Sequence, residues 1–247
     1  MPDAIFDDPR LAVLYDALDP DRSDLLPYLE FAREIEARRV LDVGCGTGVF
    51  AMMLAAQGID VVALDPAEAS IAVAGRKAGA ERVRWIVGDA SALDFGVCAD
   101  LATMTANVFQ VFPTPQVALE TLRAVRAGLR SGGYLMVETR VPARKAWLEW
   151  GPQDSHSVTE ISGVGPVEAW SEVTSVELPL VSFRWWHRVP GVGLLASDST
   201  LRFWERDEVA QLLQEAGFEV VRVDDAPDRP GREYVFVARA SFEGAAS

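Results

Sequence analysis

The sequence predicts an α/β protein built on a doubly wound, mostly parallel sheet of seven strands, with an antiparallel β insertion after strand five. Short apolar stretches typical of buried strands alternate with helical patterns over residues 39–140. A glycine-rich turn joins the first of these strands to the helix that follows it. Beyond residue 140 several strand patterns follow one another, and the helical pattern returns only near residue 205.

Composition and charge narrow the class of protein. The chain has 247 residues, 49% of them hydrophobic, which suits one large domain. Lysine and arginine number 23 against 37 aspartates and glutamates, a net charge of −14 that disfavours nucleic acid as a partner. The longest apolar run, residues 49–56, is far shorter than the roughly 20 residues that span a bilayer.

The N-terminal residues bear on the cellular location of the protein, and the cysteines bear on whether it has a metal site. The first residues are acidic and lack the basic start and apolar middle of a secretory signal, so we expect a cytoplasmic protein without membrane association. Cys45 and Cys98 are the only cysteines, and neither belongs to a cluster with metal-binding spacing. We therefore predict no metal site.

The spacing of hydrophobic residues predicts where the helices and strands of the parallel sheet lie along the chain. A helix begins near Ser23, where apolar residues recur at helical intervals and Pro27 falls in the first turn. The strands predicted after it are residues 39–43, 60–64, 83–87, 99–103 and 134–138. The helices predicted between them are residues 49–57, 68–77 and 115–129.

The rest of the chain reads as an insertion followed by a closing unit. Strand patterns at 167–176, 180–189 and 194–204 predict the antiparallel insertion. A helix at 206–215 and strands at 218–223 and 234–238 predict a final hairpin at the sheet edge. No linker divides the chain, so a single domain is expected. Its predicted parts are a helical lid at 1–38, a cofactor-binding core at 39–140, an acceptor lid at 141–204, the last helix and hairpin at 205–240 and a tail at 241–247.

The motif VLDVGCGTG, residues 40–48, is the strongest functional signal. Its glycines let the backbone approach a ligand closely, and the helix that follows offers unpaired N–H groups. The next strand ends at Asp65, whose carboxylate suits the two hydroxyls of a ribose. After the third strand, Asp89 suits the amine of adenine, or else caps the following turn. Together these residues predict a nucleoside-containing ligand at the carboxyl edge of the sheet.

These residues resemble the class I S-adenosylmethionine-dependent methyltransferases of the small-molecule type, over essentially the whole chain. The resemblance implies the strand order 3-2-1-4-5-7-6, S-adenosylmethionine as the cofactor and S-adenosylhomocysteine as its product. It also implies in-line methyl transfer to a small-molecule acceptor. The cofactor-binding residues that it implies are Asp42, Gly44, Cys45, Gly46, Gly48, Asp65, Pro66, Asp89, Ala90, Thr105, Asn107 and Tyr28.

Two other functions remain open at this point. A nicotinamide-dependent oxidoreductase also joins a glycine-rich turn to an acidic residue on the second strand. Its usual fingerprint is Gly-x-Gly-x-x-Gly, whereas Gly48 follows Gly46 by only two residues here. An adapter that binds the cofactor without catalysis is the second alternative, because a fold does not dictate a function.

Candidates for acid–base chemistry are few. A sulfonium donor mainly needs an aligned acceptor and exclusion of water, so a catalytic base is not required. If the acceptor must lose a proton, the two histidines, His156 and His187, are the candidates.

On the acceptor side, the predicted contacts are Gln110, Arg140, Trp147, Trp185 and Trp186. Arg140 could pair with an acceptor carboxylate or with a neighbouring glutamate, Glu138 or Glu149. The two adjacent tryptophans point to opposite faces of a strand, so only one can face a pocket. The insertion could instead form a dimer surface, and we expect a monomer or a homodimer.

Overall fold

The computed structural model describes residues 2–93 and 96–241, so the predicted tail lies outside the described residues apart from Ser241. The helices are α1 (Ala4–Asp7), α2 (Pro9–Ala12), α3 (Tyr15–Leu18), α4 (Leu26–Glu34), α5 (Val49–Ala56), α6 (Glu68–Ala74), α7 (Pro115–Gly128), α8 (Pro152–Ser155) and α9 (Arg206–Glu215). The strands are β1 (Arg39–Val43), β2 (Asp60–Asp65), β3 (Val83–Val87), β4 (Ala99–Met104), β5 (Leu129–Arg140), β6 (Ser157–Ile161), β7 (Gly165–Glu177), β8 (Leu180–Val189), β9 (Gly193–Arg202), β10 (Phe218–Asp225) and β11 (Glu233–Ala240).

Seven strands form the main sheet in the order β10-β11-β5-β4-β1-β2-β3. Strands β1 to β5 pair in parallel, and β11 and β10 complete the sheet as an antiparallel hairpin. Counted along the chain, this is the predicted order 3-2-1-4-5-7-6, which is confirmed. The parallel strands therefore end at one carboxyl edge, where open α/β sheets bind their ligands.

Helices cover both faces of this sheet, so its central strands carry apolar side chains on both sides. On one face α4 and α5 pack against Val40 and Val61; on the other α7 and α9 pack against Leu41 and Val62. Helix α7 begins at the Thr114 cap, whose hydroxyl accepts from the Val117 N–H at 3.3 Å. Such caps satisfy backbone donors that the first helical turn leaves free.

Four antiparallel strands, in the order β6-β7-β8-β9, form a second sheet and confirm the insertion. Strand β6 was not predicted, because four of its five residues are polar or exposed and it lies at the sheet edge. The side chains of this sheet alternate between two faces. We call the face that carries Ser171, Trp185 and Ser197 the inner face, and the face that carries Trp170 and Trp186 the outer face.

Strand β5 is longer than its apolar pattern, running from Leu129 to Arg140 where only 134–138 was predicted. Its first half contains Gly132 and Gly133, which are poor strand formers in isolation. Pairing with β4 starts already at Leu129, so the tertiary contact overrides the local preference. No helix among the described residues is both long enough and apolar enough to cross a membrane.

The central position of β1 predicts that truncating its buried side chains lowers the stability of the protein. Leu41 is fully buried there, whereas Leu148 is 69% exposed. We expect Leu41→Ala to lower the free energy of unfolding by about 2–5 kcal/mol, because it leaves a cavity between sheet and helices. The same substitution at Leu148 should change it by less than about 0.5 kcal/mol. Urea unfolding followed by circular dichroism measures both, and equal losses would contradict the packing described.

Candidate functional site

The glycine turn after β1 is tied to the end of β2. The N–H groups of Gly44 and Cys45 donate to the Leu64 carbonyl at 2.9 and 3.1 Å. The Gly46 N–H donates to Asp65 Oδ2 at 2.8 Å, and the Ala67 N–H donates to Asp65 Oδ1 at 2.8 Å. A carboxylate offers about four lone-pair sites, so Asp65 keeps acceptor capacity for a further donor.

The three glycines of the turn all have positive φ, yet they differ in what surrounds them. A Cβ on Gly44 would lie 2.6 Å from Val108, and one on Gly48 would lie 2.4 Å from Trp85. A Cβ on Gly46 would meet no atom within 4 Å. The fold thus excludes side chains at the outer two glycines, while the middle one has free space beside it.

Below this turn, Asp42 is a buried carboxyl group, 1% exposed. The Thr103 hydroxyl donates to its Oδ1 at 3.0 Å, and its Oδ2 has no hydrogen-bond partner among the described residues. Burial raises the pKa of Asp42 to about 7. The group therefore gains a proton far more readily than a solvated aspartate.

At the end of β3 the structure shows the capping alternative for Asp89. Its Oδ1 accepts from the Ser91 N–H at 2.9 Å and starts the turn over Ala90–Ala92. Asp89 is exposed and Ala90 is buried beside it. Its adenine contact remains a prediction, as do the roles of exposed Pro66 and half-buried Cys45.

The turn after β4 holds two consecutive residues in the left-handed region, Ala106 at φ 52° and Asn107 at φ 61°. Only glycine and, to a degree, asparagine adopt this conformation readily. Thr105 and Asn107 are buried, and Asn107 Nδ2 donates to Glu233 Oε1 at 2.9 Å. This contact fixes the turn against strand β11.

A group of buried charges at this edge was not predicted. Glu138 and Glu233 are 2% and 3% exposed. The Tyr28 hydroxyl donates to Glu138 Oε2. Arg229 Nη2 lies 3.0 Å from Glu233 Oε2 and 3.5 Å from Glu138 Oε1. We call Tyr28, Asn107, Glu138, Arg229 and Glu233 the buried edge network.

Strand topology explains this network. Because β11 runs antiparallel to β5, its first residue, Glu233, lies opposite Arg140 at the carboxyl edge. Burial, followed by the charge of Glu233, raises the pKa of Glu138 to about 8. Burial also raises the pKa of the Tyr28 hydroxyl, so this group stays protonated and donates.

Arg140 pairs with neither of the glutamates considered for it. Its Nη1 donates to Gln110 Oε1 at 2.8 Å, and its guanidinium carbon lies 5.6 Å from the Trp150 ring centre. Among the described residues, Glu138 is paired with Arg229 and Glu149 with Arg232. Arg140 therefore has neutral direct partners, and its pairing with an acceptor carboxylate stays a prediction.

The insertion separates its two adjacent tryptophans. Trp185 lies on the inner face, between Phe183 at 6.4 Å and His187 at 6.1 Å between ring centres. Phe183 in turn packs on Trp150 at 4.6 Å, next to Arg140. Trp186 lies on the outer face and stacks on Trp170 at 6.3 Å. Only Trp185 thus joins the aromatic row that leads to the carboxyl edge.

The remaining candidates are placed differently. His187 is buried on the inner face, its Nδ1 has no hydrogen-bond partner among the described residues, and burial lowers its pKa. His156 is exposed, and its Nε2 lies 2.9 Å from Glu168 Oε1. Trp147 is buried against Phe203, with ring centres 4.6 Å apart. Of the two histidines, only His187 shares a face with Trp185.

Residues 3–18, which contain α1 to α3, connect the two sheets, and we call them the N-terminal strap. At one end the Ile5 N–H donates to Ser197 Oγ of β9 at 2.8 Å. At the other end Asp16 accepts from the Thr47 hydroxyl of the glycine turn and pairs with Lys77. The strap therefore crosses from the insertion to the candidate cofactor loop.

Comparisons with known proteins agree with this geometry. Residues 40–133 match the model of the methyltransferase domain. A cypemycin N-terminal methyltransferase of Streptomyces is 31% identical over 135 residues, covering 55% of this chain and 54% of the relative. The chain thus spans about half the length, or less, of the relatives that it matches above 30% identity.

Solved structures share the fold over nearly the whole chain. An S-adenosylmethionine-dependent methyltransferase from Clostridium acetobutylicum has a TM-score of 0.75 at 16% identity, covering 94% of this chain and 98% of that one. The sugar N-methyltransferase KedS8 from Streptoalloteichus has a TM-score of 0.72 at 21% identity, covering 93% and 92%. The chain has the class I, Rossmann-like methyltransferase fold.

The raised pKa of Glu138 predicts that the unfolding free energy depends on pH. Folding raises the pKa of this carboxyl group from about 4.5 to about 8. Its contribution to stability is therefore complete at a pH below the pKa of the unfolded state and is lost as the pH rises through the pKa of the folded state. We expect the wild-type unfolding free energy to fall over that interval and Glu138→Gln to reduce the fall. The exposed Glu160→Gln serves as control. Identical pH profiles for wild type and Glu138→Gln, from urea unfolding, would contradict the assignment.

Proposed function

We propose that this protein transfers a methyl group from S-adenosylmethionine to a small-molecule acceptor at the carboxyl edge of the main sheet. The observation that carries the proposal is the Gly44–Gly48 turn, whose middle glycine has free space and whose backbone is tied to Asp65. The methyltransferase-domain match over residues 40–133 supports the same chemistry. The Gly-x-Gly-x-Gly spacing favours it over hydride transfer to a nicotinamide.

The residues present suit this cofactor. The free space beside Gly46 would admit its methionine part, with Asp42, Cys45 and Thr105 as the neighbouring contacts. Asp65 would accept from the ribose hydroxyls with the lone pairs that its two backbone bonds leave free. The remaining contacts in this proposal are Pro66, Asp89, Ala90, Asn107 and Tyr28. When bound, S-adenosylmethionine supplies a methyl group on a sulfonium, which is a good leaving group.

The acceptor would lie between the sheet edge and the inner face of the insertion. Arg140 and Gln110 form the polar side of this region, and the row from Trp150 to Trp185 forms the aromatic side. Trp186 and Trp147 were predicted here too, but their packing against Trp170 and Phe203 favours a structural role. Aromatic walls with a few fixed polar groups are typical of small-molecule sites.

The chain's own groups would orient the acceptor and keep water away. An acceptor that is already neutral and nucleophilic does not need a side chain to act as a base. For an acceptor that has to lose a proton, His187 is the better placed histidine, because its lowered pKa keeps it neutral at neutral pH. His156 is committed to Glu168.

Charge and the related enzymes support a small acceptor. The net charge of −14 disfavours nucleic acid. A sugar N-methyltransferase and an amino pentose methyltransferase share the fold. A cytoplasmic location and a monomeric or homodimeric state are part of the proposal. Methyl-labelled S-adenosylmethionine, incubated with a cell extract cleared of macromolecules, should label a small molecule only when the protein is present.

Gly46→Ala tests cofactor binding. We expect it to lose most affinity for S-adenosylmethionine in calorimetry, because the added methyl group occupies the free space of the turn. Gly58→Ala is the matched control, since Gly58 also has positive φ and no neighbour within 4 Å. Both variants should lose about 1–2 kcal/mol of stability through backbone strain. Undiminished binding by Gly46→Ala, or binding of NADH in place of S-adenosylmethionine, would refute the proposal.

Trp185→Ala and Trp186→Ala test the acceptor region. The two residues are adjacent and chemically identical, but only Trp185 lies on the inner face. Once an acceptor is identified, Trp185→Ala should raise its KM or lower turnover and leave cofactor affinity nearly unchanged. Trp186→Ala should leave the kinetics close to wild type. The opposite pattern, or a change of molecular mass in solution with intact kinetics, would assign the insertion to assembly.

A further inference from the structure

Arg140 is a half-buried arginine at the end of β5, with no carboxylate bonded to it among the described residues. Burial lowers the pKa of its guanidinium, yet an arginine keeps its charge at any physiological pH. A charged side chain that has lost part of its water is costly unless an anion or several hydrogen bonds compensate it. The neighbouring side chains compensate the charge of Arg140 only in part.

The two glutamates of the buried edge network are bonded to other groups. Glu233 lies opposite Arg140 in the register of β11 and β5. Its Oε1 accepts from Asn107 at 2.9 Å, and its Oε2 lies 3.0 Å from Arg229. Burial raises the pKa of Glu138 to about 8, so this carboxyl group is mostly protonated at neutral pH. When charged, both glutamates act on Arg140 through space, but neither occupies its N–H groups.

Gln110 fixes the direction in which Arg140 presents its remaining donors. The Gln110 amide is fully buried, its Nε2 donates to the Arg202 carbonyl at 3.1 Å, and its Oε1 accepts from Arg140 Nη1 at 2.8 Å. A reversed amide would set donor against donor and oxygen against oxygen, so only one orientation satisfies both partners. Nε and Nη2 of Arg140 form no hydrogen bond with the described residues and are not enclosed. These two N–H groups form one edge of the guanidinium, which matches the two oxygens of a carboxylate.

A flat aromatic surface lies beside this guanidinium. Its central carbon is 5.6 Å from the ring centre of Trp150, and Trp150 packs on Phe183 with ring centres 4.6 Å apart. Trp150 is itself half-buried, so part of its side chain remains accessible next to Arg140. Such a surface suits a planar apolar body attached to the charged head group. The net charge of −14 disfavours a phosphate dianion, so a singly charged carboxylate is the better match.

We propose that the methyl acceptor is an aromatic monocarboxylic acid, whose carboxylate accepts from Nε and Nη2 of Arg140 and whose ring packs on Trp150. Gln110 is a positioning residue, since it acts on the acceptor through Arg140. The inference rests on the proposed function, because it names the acceptor class of that same site. Arg140 lies two strands away from the glycine turn in the sheet order, on the side of the closing hairpin.

The test compares benzoate with its neutral isostere benzamide, at constant ionic strength and with saturating S-adenosylhomocysteine. The indole N–H signals of the seven tryptophans, assigned by substitution, report on binding in nuclear magnetic resonance spectra. We expect benzoate to shift the Trp150 signal saturably, with an affinity about tenfold or more above that of benzamide, because hydrogen bonds to a charged group are the stronger ones. Inorganic phosphate should bind about tenfold or more weakly than benzoate.

Two variants remove the available charge in different ways. Arg140→Gln deletes the cation, and Gln110→Glu keeps the side-chain shape but sets a carboxylate against Arg140. Each should weaken benzoate binding about tenfold or more and leave benzamide binding within about twofold of wild type. A role in packing alone would instead change the affinity for both compounds equally. Arg82→Gln is the matched control, since Arg82 is exposed just before β3, at the opposite edge of the sheet, and should change neither affinity.

Circular dichroism first establishes that each variant is folded, and Arg140→Gln keeps the test decisive if Gln110→Glu is not. The proposal is overturned by equal affinity for benzoate and benzamide, by the absence of a saturable shift, by tighter binding of phosphate, or by an undiminished preference for benzoate in folded Arg140→Gln. Calorimetry with S-adenosylhomocysteine separates the two proposals. A wild-type protein that binds it but not benzoate contradicts only the acceptor class, whereas one that fails to bind it contradicts the proposed function.

Discussion

The structure depends on strand β1 being hydrogen-bonded on both sides, to β2 and to β4. A strand in this position is buried on both faces, so its register cannot slip without moving polar groups into the core. The register fixes where the glycine turn leaves the sheet. It also positions the end of β2 so that the Asp65 carboxylate accepts a hydrogen bond from the Gly46 N–H. The candidate cofactor loop is thus a consequence of sheet pairing, supported by one buried carboxylate.

Much of this arrangement could be predicted from the sequence, because its signals are local. The apolar strands, the Gly-x-Gly-x-Gly turn and Asp65 lie within one β-α-β unit. The insertion was also visible, since proline and glycine interrupt its strand pattern. Local patterns could not show that Glu138 and Glu233 meet, because this contact requires β11 to return antiparallel to β5. Nor could they reveal the bond between Tyr28 and Glu138, which are 110 positions apart.

Side-chain direction is the other quantity that the sequence left open. Adjacent tryptophans must face opposite ways, but the choice depends on which face of the insertion turns towards the main sheet. The structure resolves this through packing: Phe183 and Trp150 carry the inner row to Arg140. The outer face instead pairs Trp186 with Trp170 and Arg184 in a solvent-facing stack. Trp185 and Trp186 of strand β8 therefore have different surroundings, although they are adjacent and identical.

At the carboxyl edge, Arg140 makes no ion pair with the glutamates of the buried edge network. Arg140 is held by the neutral amide of Gln110, while the nearby glutamates of the buried edge network are held by Tyr28, Asn107 and Arg229. Burying an ion pair is compensated only when its geometry and further hydrogen bonds are good. Because Arg140 has no direct carboxylate partner among the described residues, its charge is available to the region that faces the insertion.

The N-terminal strap adds a mechanical link between the two sides of this edge. It is fastened to the insertion through Ser197 and Ser199 and to the glycine turn through Asp16 and Thr47. Its short helices have few internal hydrogen bonds, so their order depends on these contacts and on the packing of Leu14 against the insertion. The strap thus bridges the loop that would hold the cofactor and the sheet that would hold the acceptor, and in-line transfer depends on a fixed geometry between two such bound molecules.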